Sequence, residues 1–172
     1  MDYTELIITR RSIRSYDPDR PVPEAVLRKI LEAGRLAPSA HNNQPWKFYL
    51  VSSPLLLEKI KMCYKREWIR DAPHILISAG LRREAWTRDY DGYNSMETDV
   101  AIAMTQIILA AANEGVGTCW VMAYNPFELK EALDIDDNHQ LLAITPLGYP
   151  KAGYQVPVEK GRKLLDEIVE FL

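Results

Sequence analysis

The chain has 172 residues, 47% apolar and 26% charged, a balance that suits one soluble globular domain and excludes wholesale disorder. A net charge of −3 excludes general nucleic-acid binding through a basic face. The two cysteines, Cys63 and Cys119, stand far apart in neither a CxxC nor a zinc pattern, which excludes a disulfide scaffold and makes a reducing cytoplasm the expected compartment.

In chain order, Tyr3 to Arg10 reads as a short helix, broken by Asp17-Pro18-Asp19 and Pro21. The acidic start before it does not read as a signal peptide. Pro23-Glu24 opens a second helix with Val26, Leu27, Ile30 and Leu31 at helical spacing. Ala37 to Trp46 is a loop rich in hydrogen-bonding side chains. Lys47 to Ser52 alternates as a strand, Leu55 to Cys63 is helical, and His74 to Ala79 suits a buried strand. Leu81 to Met96 has no period and reads as a long loop or lid. Glu97 to Glu114 is the longest helix, ended by Gly115 and Gly117. Its apolar stretch is too short for the roughly 30 Å bilayer core, so no membrane span is expected. Thr118 to Ala123 predicts a third strand, Pro126 to Leu133 a helix, Leu141 to Leu147 a fourth strand, and Arg162 to Phe171 an amphipathic helix. The alternation predicts a single domain over residues 1–172, one sheet with helices on both faces.

Two islands of positive charge stand out in this acidic chain. One is Arg10-Arg11-Ser12-Ile13-Arg14, and the other is Lys160-Gly161-Arg162-Lys163 near the far end. Guanidinium groups offer a planar fork of donors that suits phosphate, so the two islands are expected to meet around one phosphate-bearing cofactor. The alternative for the first island alone is a solvated basic turn at a helix end.

The chain otherwise lacks reactive motifs. Gly115-Val116-Gly117 has Trp120 where a dinucleotide fingerprint needs its last glycine, and it follows a helix instead of a strand. There is no phosphate loop of the GxxxxGK[ST] type and no GxSxG elbow. The three histidines, His41, His74 and His139, form no i, i+4 pair, so no metal centre is expected. A borrowed reactive group fits this pattern.

The blocks Arg10-Arg11-Ser12-Ile13-Arg14, Ala37-Pro38-Ser39-Ala40-His41-Asn42-Asn43-Gln44-Pro45-Trp46, Gly115-Val116-Gly117-Thr118-Cys119-Trp120 and Leu147-Gly148-Tyr149-Pro150 resemble the FMN-dependent nitroreductase family in order and spacing along nearly the whole chain. The resemblance implies an α+β fold, a three-layer α/β/α sandwich around a mostly antiparallel sheet, in an intertwined homodimer with two FMN sites at its interface. It implies that Arg10, Arg11 and Ser12 meet the phosphate and ribityl chain and that Arg14 lies at the pyrimidine edge. Lys160 and Arg162 match the family's second phosphate pair. Pro38, Ser39, Ala40 and Asn42 would come from the partner subunit to cover part of the ring, and the backbone of Val121, Met122 and Ala123 would face flavin N5. No protein side chain is then expected to be catalytic, because flavin N5 carries the chemistry.

The implied activity is hydride transfer from NAD(P)H through the flavin to nitroaromatics, quinones or similar flat acceptors by a ping-pong mechanism. Reductive dehalogenation and oxygen-dependent flavin chemistry are the alternatives within the fold. A non-catalytic module docking an acidic partner or RNA is disfavoured by the overall negative charge. Trp46 and Trp120 read as core, and Cys119 as an inert small hydrophobe. Trp86, Tyr90, Tyr93 and Met96 are either pocket walls or loop packing. An ungapped match puts Lys65 and Trp68 where some relatives hold the ring, and no role is carried over to them.

Overall fold

The structure, a computed structural model, describes residues 2–156 and 161–172. Helices begin where the sequence supplies a cap or a proline. Asp2 accepts from the Glu5 N–H at 2.9 Å to start α1 (Tyr3–Thr9). Pro23 precedes α2 (Glu24–Arg35), and Pro54 opens α3 (Pro54–Met62). Asn125 caps α5 (Pro126–Leu133) by accepting from Phe127 and Glu128. The longest helix, α4 (Met96–Asn113), ends two residues before Gly115, whose φ of +71° is the left-handed stop glycine favours.

Four antiparallel strands form one sheet in the order β1-β2-β4-β3: β1 (Trp46–Val51), β2 (His74–Leu81), β3 (Gly117–Thr118) and β4 (His139–Gly148). β2 is buried almost throughout, as a central strand covered on both faces must be. Its Ile75, Ile77 and Ala79 join Leu57 and Ile60 of α3 and Leu129 of α5 in one core cluster. Leu76 joins Leu27 and Ile30 of α2 and Val100, Met104 and Ile107 of α4 in another. These two clusters make the three-layer α/β/α sandwich.

β3 is shorter than its sequence predicts, and Pro146 explains the break. Gly117 pairs with Gly148, Thr118 with Leu147, and Val121 with Ile144, so the register never shifts. In that register Cys119 stands opposite Pro146, which has no N–H to give. The ladder therefore stops after Thr118 and resumes only as an isolated bridge at Val121.

The expected helix over Arg162–Phe171 is not formed. Only a 3-10 turn at Leu165–Glu167 appears, and every residue from 161 to 172 is exposed. A short amphipathic segment gains its stability from burying its apolar face, and this one leaves Leu164, Leu165, Ile168 and Phe171 largely exposed. Met96, expected in the loop, is instead the first residue of α4 and fully buried. A Cβ on Gly80 would meet its Sδ at 1.9 Å. Residues 82–95 form turns with one bridge, Thr87 to Asn94.

Candidate functional site

The first arginine island lies along the open edge of β3. Ser12 bridges Thr118 in parallel, and the Ile13 N–H donates to the Thr118 carbonyl at 2.8 Å. In extended backbone, alternate residues share a face, so Arg10, Ser12 and Arg14 lie on one side and Arg11 and Ile13 on the other. The approach is close enough to require glycine at 117, since a Cβ there would sit 2.8–2.9 Å from three Ile13 side-chain atoms. Arg10 and Ser12 line a cavity of about 310 Å³ with Thr118 and Trp120 and with Thr105, Ile108 and Leu109 of α4. Arg11 faces a second hollow with Ile13 and Gly117. Its Nη1 donates to the carbonyls of Ile8 (2.5 Å) and Arg10 (3.1 Å), closing the end of α1.

Of the second island, the charge of Arg162 is felt at Arg10. The Arg10 guanidinium holds its proton less tightly than usual, first through burial, then through the positive charges of Arg162 and Arg11. Cations crowded into a half-buried site repel one another, and an anion among them relieves that repulsion. Lys160 lies outside the described residues. Beneath the island, burial pushes the Cys119 thiol up, against the pull of Arg14 and Ser12. The Trp120 indole N–H, in the wall of the Arg10 cavity, is buried without an acceptor among the described residues. Guanidinium groups, a serine hydroxyl and an unmatched N–H together fit a ligand rich in acceptor oxygens, as a phosphate with its ribityl chain is. A larger cavity of about 760 Å³ lies between residues 81–94 and 136–139, but Glu84, Asp136 and Asp137 outnumber its Arg82 and Arg83 and give a phosphate no net attraction.

Loop residues Pro38, Ser39, Ala40 and Asn42 stand at the other end of α4. The Ala40 N–H donates to Asp99 Oδ1 at 3.0 Å, in the first turn of that helix. The α4 residues of the Arg10 cavity are six to ten positions further on, roughly 9–15 Å along the axis. Within the loop His41, Asn42 and Gln44 all have positive φ (52°, 58° and 52°), a concentration of left-handed, non-glycine backbone usual at functional sites.

Residues 121–123 divide. Both backbone groups of Val121 are bonded to Ile144 at 3.0 Å, whereas Met122 and Ala123 are exposed. An N–H for a ligand must therefore come from Met122 or Ala123. Trp68 packs against Tyr16 and Tyr64, and Lys65 is exposed. Trp46, Trp120 and Cys119 belong to the core clusters.

With this geometry in place, the nitroreductase family matches over residues 7–62 and 54–149. The chain belongs to the nitroreductase family. A relative from Methanothermobacter thermautotrophicus, whose provisional name is NADH dehydrogenase/NAD(P)H nitroreductase, is 35% identical over 156 residues, 87% of this chain and 78% of the relative. Rat iodotyrosine deiodinase 1 is 27% identical across 98% of this chain and 68% of its own. Among solved structures, a nitroreductase family protein from Clostridium difficile 630 superposes with a TM-score of 0.90 at 29% identity, covering 99% of this chain and 98% of that one. An FMN-dependent nitroreductase from Clostridium difficile R20291 shares the fold with a TM-score of 0.80 at 24% identity, over 98% of each chain.

As a member of the nitroreductase family, the chain carries two structural features that its motifs do not announce. Asp99 hides in the apolar periodicity of α4, its role set by the distant Ala40. The break at Pro146 interrupts the β3–β4 ladder beside Cys119, and the strand register reveals it.

Proposed function

We propose that the chain is an FMN-dependent oxidoreductase that takes hydride from NAD(P)H and passes it to nitroaromatic, quinone or similar flat acceptors in ping-pong fashion. The observation that carries this reading is the cavity lined by Arg10, Ser12 and Trp120, with a buried, unmatched indole N–H in its wall and the Arg162 charge close enough to act on Arg10. When bound, the flavin supplies N5 as the site that accepts and returns hydride. Arg10 and Arg162, with Ser12, hold the phosphate through charge-assisted hydrogen bonds. Arg14 sets a positive charge at the pyrimidine edge and stabilises negative charge developing there. The backbone of Met122 or Ala123 holds the reactive edge without adding a titratable group. Pro38, Ser39, Ala40 and Asn42 cover the ring of a second copy; in their own chain they lie roughly 9–15 Å along α4 from the Arg10 cavity.

Uncovered apolar surface supports reading the chain as a homodimer. Tyr3 and Ile8 of α1 and Leu164, Leu165, Ile168 and Phe171 of the terminal segment are exposed, with Phe171 at 85%. No helix among the described residues is long and apolar enough to cross a membrane. Two free, buried cysteines fit a reducing cytoplasm.

The test is anaerobic: flavin-loaded protein is bleached by NADH or NADPH, then reoxidised by a nitroaromatic or quinone added alone. Bleaching without reoxidation by either acceptor would overturn the assigned acceptor class. The deiodinase likeness favours a second reading, reductive removal of halogen from an aromatic substrate. Halide release from an iodinated phenol under the same conditions separates the two.

A further inference from the structure

Asp99 is 2% exposed, with both carboxylate oxygens engaged across two other segments. Oδ1 accepts from the Ala40 N–H at 3.0 Å, and Oδ2 accepts from the Ser95 hydroxyl at 2.7 Å. The Ser95 N–H donates to the Trp86 carbonyl at 2.9 Å. The Trp86 ring in turn stacks on His41, with centroids 5.6 Å apart and planes 11° from parallel. Ala40 and His41 are neighbours, so the chain of contacts closes on itself: Asp99, Ala40, His41, Trp86, Ser95, Asp99. It ties the loop over 37–46 to the segment over 82–95, with one buried carboxylate at the hub.

The loop needs such a hub. Three of its residues are held in left-handed backbone, each at an energetic penalty that persists only when surrounding contacts over-determine it. Gln44 N–H to Ser39 Oγ (2.9 Å) and Gln44 Nε2 to the Asn42 carbonyl (2.9 Å) are contacts within the loop. Among the described residues, the side-chain bond that anchors residues 39–42 to a helix is the one from Ala40 to Asp99.

We infer that Asp99 is a positioning residue for the acceptor site: it fixes the ring-covering loop and, through Ser95 and Trp86, sets the His41–Trp86 ring pair as one wall beside it. The inference rests on the proposed role of that loop over a flavin. A carboxylate suits the hub because both donors point at it, and it needs no donor of its own. Asparagine keeps an oxygen for Ala40 and turns its amide towards Ser95, whose hydroxyl can also accept. Alanine leaves a half-buried N–H and a buried hydroxyl without these partners.

The test has two readouts. In flavin-free protein, amide hydrogen exchange at residues 40–42 reports the clasp directly, with faster exchange expected in Asp99→Ala and near wild-type exchange in Asp99→Asn. In flavin-loaded protein, Asp99→Ala is expected to raise KM for a quinone acceptor about tenfold, as for one lost buried hydrogen bond, with kcat within about twofold of wild type. Asp99→Asn is expected to restore KM. Ser95→Ala removes one arm only and serves if Asp99→Ala does not fold; a smaller rise in KM with faster exchange at 40–42 is then expected. Unchanged exchange in these variants overturns the clasp. Faster exchange with unchanged KM in flavin-replete protein overturns the positioning role. Wild-type protein that takes up no flavin overturns the functional reading and this role with it, a failure visible before any variant is made.

Discussion

His74 is buried with both ring nitrogens committed. Its Nε2 accepts from the Val22 N–H at 3.0 Å, so Nδ1 carries the proton and donates to Ser52 Oγ at 2.7 Å. Burial lowers its pKa below the usual 6.5, and protonation would set a second N–H against that of Val22. The folded protein therefore binds fewer protons here than the unfolded chain below pH 6.5, and stability falls as pH drops through that value. Urea unfolding at pH 7.5 and 5.5 is expected to show this loss, and His74→Gln to flatten it; an equal slope in the variant contradicts the assignment. At the arginines the expected effect is on cofactor affinity. Arg10→Ala removes a half-buried charged donor and is expected to weaken FMN binding roughly tenfold to a hundredfold. Arg162→Ala, at an exposed position, is expected to weaken it less. If these variants instead weaken binding of an acidic protein or RNA and leave flavin content intact, the basic island is a docking patch.

Among the elements, the contact of residues 10–14 with β3 makes a sharp demand on sequence. Gly117→Ala would drive a methyl into Ile13, and overpacking of this kind destabilises by about 1–3 kcal/mol. Because the displaced segment carries Arg10, Ser12 and Arg14, flavin affinity is expected to fall with it. Thermal melts with a parallel FMN titration check this, and unaltered affinity would separate the segment from the site. Helices α2, α3 and α5 were legible because prolines and an asparagine mark their starts and apolar spacing marks their buried faces. β3 was not, since the gap at Cys119 depends on Pro146 in another strand, a pairing that local pattern does not contain. Of the candidate site, the sequence offers the first basic island, which lines the Arg10 cavity, but not its division: alternation along the extended segment turns Arg11 towards α1, and Val121 is taken by Ile144. Asp99 was illegible because its partner Ala40 is 59 residues away.

At the scale of the whole molecule, the terminal segment explains both the failed helix and the exposed apolar surface. Residues 161–172 carry an amphipathic pattern with no surface of their own chain to cover it, as expected of a segment that packs on a second copy. Wild-type protein is expected to sediment at about twice the 19.7 kDa of one chain. Leu165→Ser with Ile168→Ser is expected to shift the equilibrium towards the single chain, since each buried aliphatic side chain contributes about 1.5–3 kcal/mol. Flavin content should fall in step, because the ring then loses its cover. The arginine site stands above these details, and a direct FMN titration of the purified protein, followed by its visible spectrum, interrogates it most directly. A yellow protein holding one FMN per chain is expected, with affinity reduced in Arg10→Ala more than in Arg162→Ala. A colourless protein that takes up no added FMN, or one whose affinity ignores both substitutions, would contradict that expectation.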